Sequence, residues 1–168
     1  LAGEEEDGTL ELEFASPVPR RAIYAQRLLA VWLGTAVVVS ALFVGTLSLV
    51  LALDLDVAIA HLLAGTVQLG LTAGLFGTIA FALGAATGRR SIALGSTAGL
   101  AVLSWMLNAI GPSIGQAWMA TVSPFGWYMA ENALTDGLNV GGVLLLMGTS
   151  CAVAVLGWLR FARRDLMT

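Results

Sequence analysis

Four stretches of the chain run without a charged residue for long enough to cross a lipid bilayer. They cover residues 28–53, 57–87, 92–110 and 140–159. At 1.5 Å per residue the first stretch reaches about 39 Å, which exceeds a hydrocarbon core of about 30 Å. Burying one charge in the middle of such a helix costs on the order of 3 kcal/mol, so windows this long are informative. The pattern predicts an all-α fold, a polytopic membrane helix bundle with four transmembrane helices in a single transmembrane domain over residues 1–168.

The connection between the third and fourth windows, residues 111–139, is too apolar for an ordinary loop. It is rich in aromatic and aliphatic residues and carries only two charges, Glu131 and Asp136. Pro112 and Pro124 suit the boundaries of short helical pieces. We therefore predict one or two short helices that lie at the outer interface or re-enter the membrane there.

The head of the chain, residues 1–19, is polar and acidic. Glu4 to Asp7 form an acidic run, and Thr9 can cap a helix in which Leu10 and Phe14 share one face. The same residues also alternate between apolar and polar, so a short strand remains an alternative. On the residues alone, a solvated acidic loop is an equally good interpretation.

The basic residues are sorted by position along the chain. Four spans joined by two tight turns and the longer outer connection place every basic residue on one side: Arg20, Arg21, Arg27, Arg89, Arg90, Arg160, Arg163 and Arg164. The other side receives Asp54, Asp56, Glu131 and Asp136 and no arginine. Because cytoplasmic loops carry the excess of positive charge, both ends of this segment are predicted to be cytoplasmic.

The composition excludes several classes of function. With 58% hydrophobic and 11% charged residues and a mean hydropathy of +0.87, the apolar surface must face lipid. The chain has no lysine, so it cannot hold a P-loop or form a Schiff base, and one His with one Cys cannot build the usual zinc sites. The sequence thus predicts no catalytic residue, no cofactor-binding residue and no metal site.

Small residues recur at four-residue spacing in the second and third windows. Gly70 and Gly74, Gly84 and Gly88, and Gly95 and Gly99 each fit the pattern in which helix backbones approach closely. We expect these two helices to pack against each other through such faces.

Three stretches resemble the permease subunits of type-two ATP-binding-cassette exporters. The first is the acidic Gly8-Thr9-Leu10-Glu11 segment with Pro17-Val18-Pro19-Arg20-Arg21 behind it, although Pro19 stands where the family often has Ser. The second is Ser123-Pro124-Phe125, and the third is the ending from Arg160 to Leu166. The resemblance covers nearly the whole chain as the last four of the family's six helices. Two helices are then expected upstream, either in a longer chain or supplied separately.

The resemblance implies a role for the head and for the outer connection. It makes residues 1–19 a cytoplasmic coupling helix that contacts an ATPase, through Glu5, Glu6, Gly8, Thr9, Leu10, Glu11, Leu12 and Phe14. It places Ser123, Pro124 and Phe125 in an outer re-entrant segment. The implied partners are an ATP-binding-cassette ATPase, which carries the ATP and magnesium, a second permease copy or homologous half, and the lipid bilayer, with no nucleic acid.

The resulting interpretation is a non-enzymatic permease in the plasma membrane that exports a hydrophobic or amphipathic substrate, such as a drug, antibiotic or lipid. Charge-free spans argue against a proton- or ion-coupled secondary transporter, because intramembrane ionisable residues usually mark such paths. They also argue against a membrane-embedded lipid enzyme. A non-transporting anchor or assembly protein remains the other alternative.

Overall fold

The computed structural model describes residues 19–129 and 137–163, and these ranges are helical without a strand. Six α-helices follow in order: α1 (Arg20–Ala52), α2 (Ile59–Thr87), α3 (Arg90–Ile110), α4 (Trp118–Thr121), α5 (Pro124–Met129) and α6 (Val140–Arg163). A 3-10 turn at Pro112–Ile114 lies between α3 and α4. Four of the helices, α1, α2, α3 and α6, are long and apolar enough to span a membrane. The all-α class and the four spans are therefore confirmed.

Three of the four spanning helices begin or end beyond their charge-free windows, at arginines, whereas α2 begins two residues inside its window. α1 begins at Arg20, eight residues before the predicted start at 28, and α6 ends at Arg163 rather than at 159. α3 begins at Arg90 rather than at 92, and α2 begins at Ile59 rather than at 57. A charge-free window measures the part of a helix inside hydrocarbon. Arginine is a good helix former whose long side chain reaches the interface, so the helix continues past that window.

The central element is α2, which packs against α1, α3, α5 and α6. It is apolar all round, which is typical of a buried helix. Small residues let its neighbours approach: a Cβ added at Gly70 would lie 3.1 Å from Val39, and one at Gly74 would lie 2.6 Å from Trp32. Leu75, the residue after Gly74, is completely buried. The bundle is thus organised around one helix rather than around a shared central core.

α2 and α3 do pack on each other, but not through the pairs Gly70–Gly74 and Gly95–Gly99. Gly70 and Gly74 receive side chains of α1, but a Cβ at Gly95 or Gly99 would meet nothing within 4 Å. In this chain, α3 contacts α2 through a different face, on which Ala93 and Thr97 are buried. The spacing of small residues indicates where a close approach is possible and does not say which helix makes it.

A glycine turn connects α2 to α3. Gly88 ends α2 in the left-handed region, with φ of 67°, and its N–H donates to the Gly84 carbonyl at 2.8 Å. Only glycine adopts this conformation without steric cost, so the chain can reverse direction before Arg90 begins the next helix.

The order of the helices places the described arginines at one end of the bundle. α1 runs antiparallel to α2, as Trp32 meets Gly74 and Val39 meets Gly70, whereas α6 runs parallel to α2, as Gly137 lies beside His61 and Gly157 beside Ala82. The start of α1 and the ends of α2 and α6 are therefore together, and we call this the arginine end. The other end holds residues 53–58 and the outer segment, residues 111–129.

Gly157 provides the first test of this packing. A Cβ at this position would lie 2.6 Å from both the Ala82 Cβ and the Tyr24 hydroxyl oxygen. We expect Gly157→Ala to lower the free energy of unfolding by about 2 kcal/mol, the usual cost of overpacking. Thermal unfolding in mild detergent, followed by tryptophan fluorescence, measures this change.

Gly148→Ala is the matched control because it lies in the same helix and an added Cβ there would meet nothing within 4 Å. It should leave stability unchanged or raise it slightly, since alanine is the better helix former. Equal effects of the two substitutions would contradict the packing of α6 on α2.

Candidate functional site

The predicted coupling residues, Glu5 to Phe14, lie outside the described residues, so their contacts remain a prediction. The structure does describe two regions that bear on the predicted sites. One is the start of α1, directly behind the head of the chain. The other is the outer segment with Ser123, Pro124 and Phe125.

Four aromatic side chains from three helices meet near the arginine end, and we call them the aromatic cluster: Tyr24, Phe81, Trp158 and Phe161. The Tyr24 ring centroid lies 4.9 Å from that of Phe81 and 5.6 Å from that of Trp158, both edge-to-face at 61°. Phe161 lies 5.8 Å from Tyr24. Tyr24 and Phe161 are buried together with Ala85. Such aromatic pairs each contribute about 1 kcal/mol beyond their buried area.

A hydrogen bond fixes Tyr24 within this cluster. Its hydroxyl donates to the Ala154 carbonyl of α6 at 2.8 Å. The hydroxyl can approach because Gly157, one turn further along α6, has no side chain there. The second turn of α1 is thereby joined to α2 by ring contacts and to α6 by rings and a hydrogen bond. A displacement of the start of α1 would be transmitted to both helices.

The contacts by which Tyr24 connects α1 to α2 and α6 were not predicted from the sequence. Trp158 packs on both Tyr24 and Phe161. The available signal was that Tyr24, Phe81, Trp158 and Phe161 all fall within a few turns of the arginine end of their helices. These four side chains meet only because of the order and direction of the helices in the bundle, which the sequence does not reveal.

The Ser123 hydroxyl holds the outer segment in place, and each of its hydrogen-bonding positions is occupied. Its Oγ donates to the Ser104 carbonyl of α3 at 2.7 Å, lies 2.9 Å from the Ser104 hydroxyl, and accepts from the Phe125 N–H at 3.2 Å. A serine hydroxyl has one donor and two acceptor positions, and all three are occupied here. Ser123 thus caps α5 and Pro124 takes its first position, where proline is favoured.

Phe125 carries the outer segment into the bundle. Its ring centroid lies 5.6 Å from that of Phe76 on α2. Phe76 is eleven residues from Thr87, which at 1.5 Å per residue is about 17 Å of a helix about 44 Å long. From the opposite end of α2, where the outer segment enters, Phe76 lies about 26 Å deep. The Phe125 ring therefore contacts α2 past its midpoint, with α5 in contact with α2, α3 and α6.

Asn139 ties the segment to the start of α6. Its side-chain oxygen accepts from the Gly142 N–H at 2.8 Å and its nitrogen donates to the Trp127 carbonyl at 3.4 Å. Gly142 is close to the same carbonyl, so a larger residue would separate the two. The outer segment is consequently fixed to α2, α3 and α6 at three separate points.

Two buried polar side chains, Gln68 and Thr97, lack a hydrogen-bond partner in the described part of the chain, and Gln68 is the larger of them. Gln68 on α2 is fully buried, and neither its amide oxygen nor its nitrogen is hydrogen-bonded to a described residue. The nearby Thr72 and Thr78 instead bond to backbone carbonyls one turn back in α2. An unpaired buried amide costs about 1–3 kcal/mol, so α2 packs less favourably at Gln68 than along its glycine face.

A groove of about 300 Å³ lies between α1, α2 and α6. Trp32, Leu71 and Met147 are among the residues that line it, and Cys151, an exposed free thiol, lies at its edge. Almost all of the lining is apolar. Such a surface suits an aliphatic or aromatic group and offers few hydrogen bonds to a polar one.

Comparison with known proteins adds one result. The family model described as "ABC-2 family transporter protein" matches residues 1–166. No curated protein and no solved structure matches the chain.

Removal of the Ser123 hydroxyl tests how the outer segment is held. Ser123→Ala removes the bonds to Ser104 and the cap of α5, each worth about 1 kcal/mol. Amide hydrogen exchange over residues 118–129 should therefore become roughly tenfold faster.

Ser113→Ala serves as its control, because the exposed Ser113 hydroxyl bonds only to the Ala109 carbonyl of the preceding turn. Exchange in residues 118–129 should not change in this variant. If Ser123→Ala also left exchange unchanged, the hydroxyl network would not be what holds the segment.

Proposed function

Because this chain belongs to the ABC-2 family of transporter proteins, we propose that it is the membrane permease of an exporter driven by ATP hydrolysis on a separate subunit. The match to nearly the whole chain is the observation that carries this proposal. The four apolar helices agree with it, since a permease must cross the bilayer several times. ATP and magnesium would be bound by the ATPase subunit and not by this chain.

We infer an orientation in the plasma membrane with both ends of this segment in the cytoplasm. The described arginines lie at one end of the bundle, while Asp54 and Asp56 lie at the other. Because positive residues are retained in the cytoplasm, the arginine end would face the ATPase. The outer segment would then face the opposite side of the membrane.

The proposed coupling begins in the head of the chain. Residues 5–14 would dock on the ATPase, with Glu5 and Glu11 pairing with its basic side chains. Movement of the ATPase would pull on the start of α1, immediately behind the head. The aromatic cluster supports this role, because Tyr24 connects that part of α1 to both α2 and α6. The spans would then tilt as semi-rigid bodies.

The proposed cargo is hydrophobic or amphipathic, as for a drug, an antibiotic or a lipid. Two observations favour it: the spans carry no charged residue except near their ends, and the groove beside Trp32 is apolar. Cargo would enter from the cytoplasm or the inner leaflet and leave past the outer segment. The contacts of Ser123, Phe125 and Asn139 that hold that segment would have to break at this step.

A second permease copy, or a homologous half, would complete the transport path. α1 favours such pairing, because no part of its most apolar window is buried within this chain. Exposed apolar side chains along α1 would contact lipid, further helices or the paired permease.

Charge reversal in the head tests the docking. The protein should co-purify from mild detergent with an ATPase subunit that mass spectrometry identifies by its nucleotide-binding motifs. The double variant Glu5→Arg and Glu11→Arg should bind the ATPase at least about a hundredfold more weakly and lose most of it on purification, because charge-assisted hydrogen bonds worth about 1.5–3 kcal/mol each are lost and replaced by repulsion.

The double variant Asp54→Arg and Asp56→Arg provides the matched control, since it makes the same change of charge in the loop at the opposite end. It should retain the ATPase at the wild-type level. Full retention by the head variant would refute docking through residues 5–14, and the absence of any ATPase from the wild-type preparation would favour an anchor or assembly protein.

A further inference from the structure

A second groove, of about 340 Å³, opens on the other side of α6. α3 and α6 both pack on α2 without packing closely on each other, so the surface of α2 forms the floor between them. Ile79, Ala82 and Ala86 lie on this floor, Leu100 on one wall and Leu156 on the other. The lining is almost wholly apolar, apart from Arg160 at the rim.

The groove covers about two-thirds of the depth of one leaflet. It extends from Arg160 to Val153 along α6 and from Ala86 to Ile79 along α2. Seven residues at 1.5 Å correspond to about 10 Å, close to the reach of an acyl chain within half of a hydrocarbon core of about 30 Å. The groove thus begins at the arginine end and stops before the middle of the bundle.

Arg160 gives the groove a charged entrance. Its side chain is exposed, and within the described ranges no carboxylate lies at this end, since Asp54 and Asp56 are at the opposite one. Arg163 follows one turn later, and Arg89 and Arg90 mark the same level at the junction of α2 and α3. The rim therefore presents positive charge directly above an apolar cleft.

We propose that this groove binds an anionic phospholipid, with one acyl chain along α2 and the phosphate at the Arg160 guanidinium. The positive rim complements a phosphate, and basic pockets between membrane helices are a recurrent way of holding anionic headgroups. A helix of a second protein chain fits less well, because it would bury Arg160 in an apolar interface, where an unpaired charge is costly.

The test compares lipids retained by the full protein in its native assembly. Native mass spectrometry in mild detergent would follow titration with phosphatidylglycerol or with phosphatidylcholine of the same acyl chains. The wild-type protein should prefer phosphatidylglycerol. Arg160→Gln should lower that preference about fivefold, the effect of one basic residue at an anionic surface, while Arg160→Lys should retain it.

A second variant tests the cleft itself. Ala86→Phe fills the floor of the groove and should reduce retention of both lipids, whereas Ala41→Phe on the exposed surface of α1 should not. Arg163→Gln, one turn beyond the rim, should keep most of the preference. Unchanged preference in Arg160→Gln, or unchanged retention in Ala86→Phe, would overturn the proposal. It would also be overturned if the mass spectra showed a second copy of the chain that Ala86→Phe removes, because that copy would then occupy the groove.

Discussion

The close approach of neighbouring helices to α2 is the contact on which the rest of the bundle depends. Lipid gives little hydrophobic driving force between membrane helices, so association relies on dispersion contacts and on backbones that come near each other. α2 meets this requirement with Gly70 and Gly74 toward α1 and with Ala82 toward Gly157 of α6. The grooves on either side of α6 exist because the other helices are held by α2 more than by one another.

The two ends of the bundle are built from different interactions. At the arginine end, rings and one hydroxyl join α1, α2 and α6 into a unit that resists separation. At the outer end, a short segment is held by hydrogen bonds of Ser123 and Asn139 and by one ring contact. A few hydrogen bonds can exchange partners more readily than a packed cluster can be opened. The proposed function would use this asymmetry, because it requires movement to begin at the arginine end and contacts to open at the other.

Much of the fold could be predicted from the sequence, because the exclusion of charge from hydrocarbon acts on each helix separately. The four spans and the short helices around Pro124 follow from such local rules. The aromatic cluster could not be predicted, since Tyr24 and Phe161 are far apart in the sequence and meet only through the order of the helices. The ends of the helices were also missed, because Arg20 and Arg163 continue helices that the charge-free windows cut short.

The composition of the outer segment has an electrical consequence. From Gly111 to Met129 it contains no Asp, Glu, His, Lys or Arg, although Phe125 contacts Phe76 deep in the bundle. Moving one elementary charge across the membrane potential involves about 2.3 kcal/mol per 100 mV. A displacement of residues 111–129 would move no charged side chain through the membrane potential, so their side chains would add no voltage-dependent work.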